Sequence, residues 1–409
     1  MRVLSNELFL YAQPQRTRFI PVYAQVRRLH QSSGHRNLDG QKDINKQTIS
    51  NGFTPMAGDK SKSNQAAVPR PSASVLLVSP QNQVLLLQRV KQSSSFASAH
   101  VFPGGNVSEF HDGRAPEPAS AERHVDSEVY RKAAIRETFE ESGILLARNA
   151  GFGRLIEVPE AEREEGRKLV HSNKVPFEQW LAQKGGRADI DGLLPFTRWV
   201  TPTNVPKRFT TQMYIYFLPT LSGTPLSANG QPNSNAEDFE PEVSIPTPTT
   251  DGGVEHTTAR FLPASVWLRL AQEGRIILFP PQFFLLHQAA QHFDNLTAPT
   301  AYGSITRDTV PREELEARRK RLVDFIKSGS PPWTEKCISP TVQPPRGGKR
   351  RQDGRVVLGL ERPGPELEAA KLGRKGHLED CVLLDFRKEG PRRVAVISRE
   401  EAMQPESKI

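Results

Sequence analysis

The nine residues RETFEESGI, Arg136 to Ile144, constrain the chain more than any other stretch. On a helix of about 3.6 residues per turn, Glu137, Glu140 and Glu141 project from one side, while Ile135 and Phe139 lie on the other. The apolar side is the one a core takes, so the carboxylates are expected to face solvent or something positive. Ala133 and Ala134 flank the acidic side with minimal side chains and leave room for a ligand. Gly143 follows the last turn, where a left-handed cap ends a helix. Like charges at this spacing cost only a few tenths of a kcal/mol each, so these residues alone also fit a solvated acidic surface.

Strand composition precedes this helix. SASVLLVSP (72–80) and QVLLLQR (83–89) are leucine-rich and β-branched runs separated by turn residues, the pattern of a buried hairpin. AHVFPGG (99–105) reads as a short strand ending in a glycine pair. After the helix, ILLAR, FTRWVTP, TTQMYIYFLP and EHTTARFLP return to strand composition, and helices are expected at 158–172, 176–184, ASVWLRLAQEG, PPQFFLLHQAAQ and REELEARRKRLVDFIK. The solvated face of the last is read as structural. RVVLGLE and CVLLDFR suggest strands of a small C-terminal appendage. Strands interleaved with helices make the class α/β with a mixed sheet.

The organisation that follows is a targeting segment at 1–36, a disordered linker at 37–70, a catalytic-type domain at 71–295, and a charged helix with the appendage at 296–409. Within the domain lie an insertion at 106–125 and a flexible loop at 221–253, rich in Ser, Pro, Asn, Gly and Thr. The two cysteines, Cys337 and Cys381, lack any metal-ligand spacing and read as small hydrophobes.

The formal charge of +9 does not argue for nucleic acid. The first 36 residues hold six arginines against Glu7 alone, a contribution of +5 that leaves a mild +4 on the rest. That amino terminus, rich in arginine, without lysine and nearly free of acid, reads as a mitochondrial presequence. Ser407-Lys408-Ile409 is similar to a peroxisomal address except at its last position, which makes that compartment the alternative. No window approaches the ~20 continuous apolar residues of a membrane-spanning helix.

Phe102-Pro103-Gly104-Gly105, Glu128 eight residues before Arg136, and the cluster Arg136, Glu137, Glu140, Glu141, Gly143, Ile144 together resemble the box of the Nudix hydrolase family, G-x5-E-x7-R-E-U-x-E-E-x-G-U, with U a bulky apolar residue. Two departures stand out: 22 residues separate Gly105 from Glu128 where the pattern has five, and Thr138 takes an apolar position. The resemblance implies an α/β/α sandwich and a metal-dependent attack of water on a pyrophosphate. It assigns Mg2+ or Mn2+ to Glu137, Glu140 and Glu141, catalysis to Glu140, Glu141 and Arg136, and the first glutamate of the box to Glu128. Hard divalent cations prefer such oxygen ligands and screen phosphate charge. Gly104 and Gly105 let backbone approach metal or phosphate closely. Arg89 and Arg208, with Lys207, are candidate phosphate contacts, Phe209 a candidate base-stacking ring, and Glu255 a candidate extra ligand or base.

VLLLQRVKQSSSFASAHVFPGG and the long insertion are similar to the branch that includes the coenzyme A diphosphatases, as are WVTPTNVPKRFTTQMYIYFLP and ARFLPASVWLRLAQEGRIILFPP. The implied substrate is coenzyme A or an acyl derivative, split into 3',5'-ADP and (acyl) phosphopantetheine. The alternatives are ADP-ribose, NADH or a nucleotide sugar, and, in another class, a non-catalytic Nudix-fold protein that binds nucleotide or RNA.

Overall fold

The computed structural model describes residues 66–90, 98–149, 154–220, 248–249, 256–294, 310–343 and 351–403. The expected targeting segment, the loop at 221–247 and 250–253, and the terminal Ser-Lys-Ile lie outside them. In chain order the elements are β1 (Arg70–Val78), β2 (Val84–Arg89), β3 (His100–Val101), β4 (Gly104–Asn106), α1 (Glu109–Asp112), α2 (Glu128–Ser142), β5 (Ala147–Asn149), α3 (Glu160–His171), α4 (Phe177–Gln183), β6 (Gly186–Ala188), β7 (Leu194–Val200), β8 (Phe209–Phe217) and β9 (His256–Leu262). There follow α5 (Ala264–Gln272), α6 (Pro280–Phe293), α7 (Arg312–Lys327), β10 (Cys337–Ile338), β11 (Thr341–Val342), β12 (Val356–Leu360), α8 (Pro365–Ala369), β13 (His377–Arg387), β14 (Gly390–Ser398) and α9 (Arg399–Met403).

The main sheet runs β10-β7-β8-β1-β2-β3, with β4 on β1 and β9 on β2. It is mixed: β8–β1 and β10–β7 are parallel, and the remaining pairs antiparallel. β1 and β2 pair only beside their turn, Val78 with Val84, and then diverge. β2 turns to β9 and β3, while β1 accepts β4 through Ser72–Asn106, Ala73–Gly105 and Ser74–Gly104. That register brings the glycine pair into the middle of the sheet.

Side chains alternate across a strand, and here both faces are apolar. Val75 and Leu77 of β1, Leu85 and Leu87 of β2, and Tyr214 and Tyr216 of β8 enter one core with Tyr130, Ile135 and Phe139 of α2 and Trp180 of α4. Leu76, Val78, Val84, Leu86, Met213 and Ile215 enter the other, against Trp267 of α5, Phe283 and Phe284 of α6, and Leu322 and Ile326 of α7. The result is the expected α/β/α sandwich. A second sheet, β11-β12-β13-β14, contributes Leu358, Leu360, Val382, Leu384 and Val394 to that second core. Cys337 and Cys381 are buried thiols.

One charge on α7 is structural. Arg319 is buried and bonds Asn82 Oδ1 (2.7 Å), the Ser79 carbonyl (2.8 Å) and the Leu218 carbonyl (2.9 Å), closing the β1–β2 turn. Among the described residues no helix is long and apolar enough to cross a membrane.

Candidate active site

Helix α2 is packed on nearly every side. Phe139 stacks on Trp180 with ring centroids 4.9 Å apart and meets Phe177 at 5.7 Å. Thr138, polar where the sequence pattern has an apolar residue, is fully buried and donates its hydroxyl to the Ala134 carbonyl (2.7 Å), which leaves no unsatisfied group. Gly143, at φ 72°, is the left-handed cap and donates its N–H to Phe139 O (2.9 Å). Ala133 and Ala134 belong to the core rather than flanking a ligand space, because the helix presses its whole central turn against β1.

The acidic ridge therefore does not face open solvent. Glu140 and Glu141 are buried, Glu137 is partly buried, and each is held. Arg136 is the hub. Its Nε and Nη2 donate to the two oxygens of Asp112 (3.0 and 2.9 Å), Nη1 donates to Glu137 Oε1 (3.0 Å) and Glu140 Oε1 (2.8 Å), and Nη2 also reaches the Asn106 carbonyl (2.9 Å). Five contacts satisfy the five guanidinium protons. The second oxygen of Glu140 lies 3.1 Å from His171 Nδ1 on α3, and its backbone carbonyl accepts from Arg167 Nε and Nη2 (3.2 and 2.8 Å). Glu141 accepts the Gly104 N–H (2.8 Å) on Oε2 and has Oε1 3.6 Å from Nε2 of the buried His256.

The glycine pair is required by geometry. Gly104 has φ +153°, and a Cβ there would lie 2.3 Å from the Ala73 carbonyl oxygen. A Cβ on Gly105 would lie 2.4 Å from Glu137 Oε1. The turn and the carboxylate occupy adjoining space.

Among the described residues, no group of three or more His, Cys, Asp or Glu side chains stands ready-made to hold a metal. The charge balance nonetheless fits a cation. Burial pushes the Glu137 carboxyl up to about 7, a rise that Arg136 opposes and that Glu140 and Asp112 reinforce. One guanidinium thus serves three carboxylates, Asp112, Glu137 and Glu140, and a hard divalent ion with oxygen ligands would relieve the repulsion that remains.

Of the residues singled out in the sequence, Arg136, Glu137, Glu140, Glu141, Gly104 and Gly105 converge. Arg89 ends β2 opposite His256, on the strand pair that borders Glu141. Glu128 does not converge: it opens α2 nine residues before Glu137, about 13 Å along the axis, is largely exposed, and pairs with Lys132 (2.7 Å). The acid that pairs with Arg136 from outside α2 is Asp112 of α1. Arg208 is buried and committed to Glu366 of α8 and to the Ala67 and Thr201 carbonyls, which ties its charge to the C-terminal segment. Lys207 is exposed in the β7–β8 turn, and Phe209 is half-buried at the start of β8. Glu255 lies outside the described residues.

Sequence reasoning missed Asp112, His171, His256 and Arg167. Only Asp112 carried a signal: it stands seven residues after Gly105, one beyond the spacing of the family pattern.

Residues 68–221 match the NUDIX domain family. An acyl-coenzyme A diphosphatase NUDT19 of Gallus gallus is 27% identical over 250 residues, covering 50% of this chain and 60% of the relative. A protein of the same description from Xenopus laevis is 30% identical over 176 residues, covering 32% of this chain and 46% of the relative. The chain thus spans less than two thirds of either. A NUDIX hydrolase crystal structure from Alicyclobacillus acidocaldarius aligns at 22% identity and a TM-score of 0.39, covering 54% of this chain and 90% of that one.

Proposed function

Since this chain belongs to the Nudix family through residues 68–221, we propose that it hydrolyses the pyrophosphate of coenzyme A or an acyl-coenzyme A, releasing 3',5'-ADP and (acyl) phosphopantetheine. The observation that carries the reading is the gathering of Glu137 and Glu140 on Arg136 and of Glu141 on the Gly104 N–H, at the Gly104–Gly105 turn. The named activity of the Gallus gallus and Xenopus laevis relatives supports the substrate.

In this reading, Glu137, Glu140 and Glu141 hold Mg2+ or Mn2+. When bound, the ion screens phosphate charge and polarises the phosphorus under attack. Arg136 fixes Glu137 and Glu140, so that they need no reorganisation as the substrate arrives. The Gly104 N–H fixes Glu141, and the absence of a side chain at Gly105 keeps the space in front of Glu137 open. A water oxygen bonds to one phosphorus, the bridging P–O bond breaks with its electron pair leaving on the departing phosphate, and the water proton passes to a site carboxylate and then to solvent. Arg89 contributes positive charge toward the substrate phosphates. The compartment is proposed as mitochondrial, on the arginine-rich composition of residues 1–36.

The test is direct. Purified full-length protein with Mg2+ or Mn2+ is given coenzyme A, acyl-coenzyme A esters, ADP-ribose, NADH and capped RNA, with products followed chromatographically. Release of 3',5'-ADP from the coenzyme A compounds is expected as the fastest reaction, abolished in Glu140→Gln/Glu141→Gln. Faster cleavage of ADP-ribose would overturn the substrate, and turnover by the double variant would overturn the site.

A further inference from the structure

Glu140 is gripped at both oxygens, by Arg136 at Oε1 and by His171 at Oε2. A carboxylate has no proton to give at neutral pH, so the 3.1 Å contact requires that His171 Nδ1 carry the hydrogen. His171 belongs to no part of the acidic motif. It arrives from the last turn of α3, and the way α3 is fastened makes its position rigid.

Three ties do this. Arg167, one turn before His171, binds the Glu140 carbonyl through two nitrogens. Gly166 lies so close to Trp180 of α4 that a Cβ would stand 2.3 Å from the indole, and Trp180 in turn stacks on Phe139 of α2. Beyond the helix end, His111 Nε2 bonds Asn173 Oδ1 (2.8 Å) and its Nδ1 accepts the Phe177 N–H (3.1 Å). The adjacent residue, Asp112, clamps Arg136. The dipeptide His111-Asp112 therefore sets both partners of Glu140, one directly and one through the α3–α4 turn.

We propose that His171 is a positioning residue for the reaction: by donating to Glu140 Oε2 opposite Arg136, it fixes the carboxylate plane and aims the remaining lone pairs at the cation site. This rests on Glu140 as a ligand for the divalent ion, as proposed above. Hydrogen-bond partners of metal ligands are typically worth about 10–100-fold in affinity or activity. His171 is half-exposed and contributes little to the core, so its replacement leaves the fold standing.

The experiment measures free Mn2+ by electron paramagnetic resonance during titration of the full-length wild type, His171→Ala and His171→Asn, with kcat and KM for coenzyme A alongside. The Asn amide places an N–H where Nδ1–H stood. His171→Ala is expected to weaken Mn2+ binding by about tenfold and to lower kcat with little change in KM, and His171→Asn to restore both. Wild-type affinity in His171→Ala would overturn the proposal. So would a His171→Asn variant as weak as His171→Ala with the same melting temperature, since the donor would then be irrelevant. A wild type that binds no Mn2+ overturns the metal site itself and this role with it, an outcome distinct from equal binding by all three proteins.

Discussion

Gly105 is the residue at which backbone and chemistry collide. Its substitution by alanine puts a methyl 2.4 Å from an oxygen of Glu137 and 2.5 Å from its carboxyl carbon, closer than non-bonded atoms approach. Glu137 is held by Arg136, so the carboxylate must give way. A displacement near 1 Å at a reacting centre costs about 100-fold in rate. Gly105→Ala is therefore expected to lose about that much hydrolytic activity while retaining its far-UV circular dichroism. Normal turnover would remove Glu137 from the machinery. Glu137 also imposes a pH dependence. Its carboxyl is raised from 4.5 to about 7, so protonation favours the fold: the contribution is fully present below about 4.5 and is lost as pH rises through 7. In chelator-treated protein, the melting temperature of Glu137→Gln relative to wild type should climb between pH 4.5 and 7 and level off above. A difference that stays flat over that window would mean the carboxylate carries no such penalty.

At the scale of elements, the acid buried against Arg136 comes from α1 and not from the first turn of α2. Asp112 is fully buried against a nearly buried Arg136, whereas Glu128 is largely exposed beside Lys132. Removing one partner of a buried pair costs about 3–5 kcal/mol, and Arg136 keeps two other carboxylates, so Asp112→Ala should lose about 3 kcal/mol in urea unfolding. Glu128→Ala should change stability by less than about 1 kcal/mol. A reversed ranking would return Glu128 to the site. The residues between them are docked: Tyr130 Oη donates to the Arg123 carbonyl, Arg198 Nη2 to the Val125 carbonyl (3.0 Å), Arg374 to the His124 carbonyl, and His124 Nδ1 meets Thr210 Oγ1 at 3.0 Å. What the sequence made legible was local. The spacing of Glu137, Glu140, Glu141, Ile135, Phe139 and Gly143 defines α2, and the leucine runs of β1 and β2 define strands buried on both faces. The partners of those residues were not legible, because they come from far along the chain: Asp112 across 24 positions, His171 across 31, and Glu366 to Arg208 across 158. β10, two residues long, is too short to carry a period.

At the scale of the molecule, the C-terminal strands complete the second core. Trp333 meets His377 at 4.7 Å, Phe325 at 5.4 Å, Phe196 at 5.8 Å and Phe284 at 5.9 Å, which joins β7, α6, α7 and β13 in one aromatic cluster. Three of those five rings, Phe196, Phe284 and Phe325, precede Ser330. Ending the chain after Ser330 removes Trp333 and His377, strips Leu358, Leu360, Val382, Leu384 and Val394 from the core, and uncovers the edge of β7 that β10 protects. It also leaves Arg208 buried without Glu366. An exposed strand edge beside uncovered apolar surface promotes association. The truncated chain is expected to aggregate on expression. Trp333→Ala in the full chain, which deletes only the ring, should lose about 3–5 kcal/mol in urea unfolding and stay soluble. If the chain ending at Ser330 is soluble and unfolds in one transition at the wild-type midpoint, the second sheet is dispensable and the core closes without it.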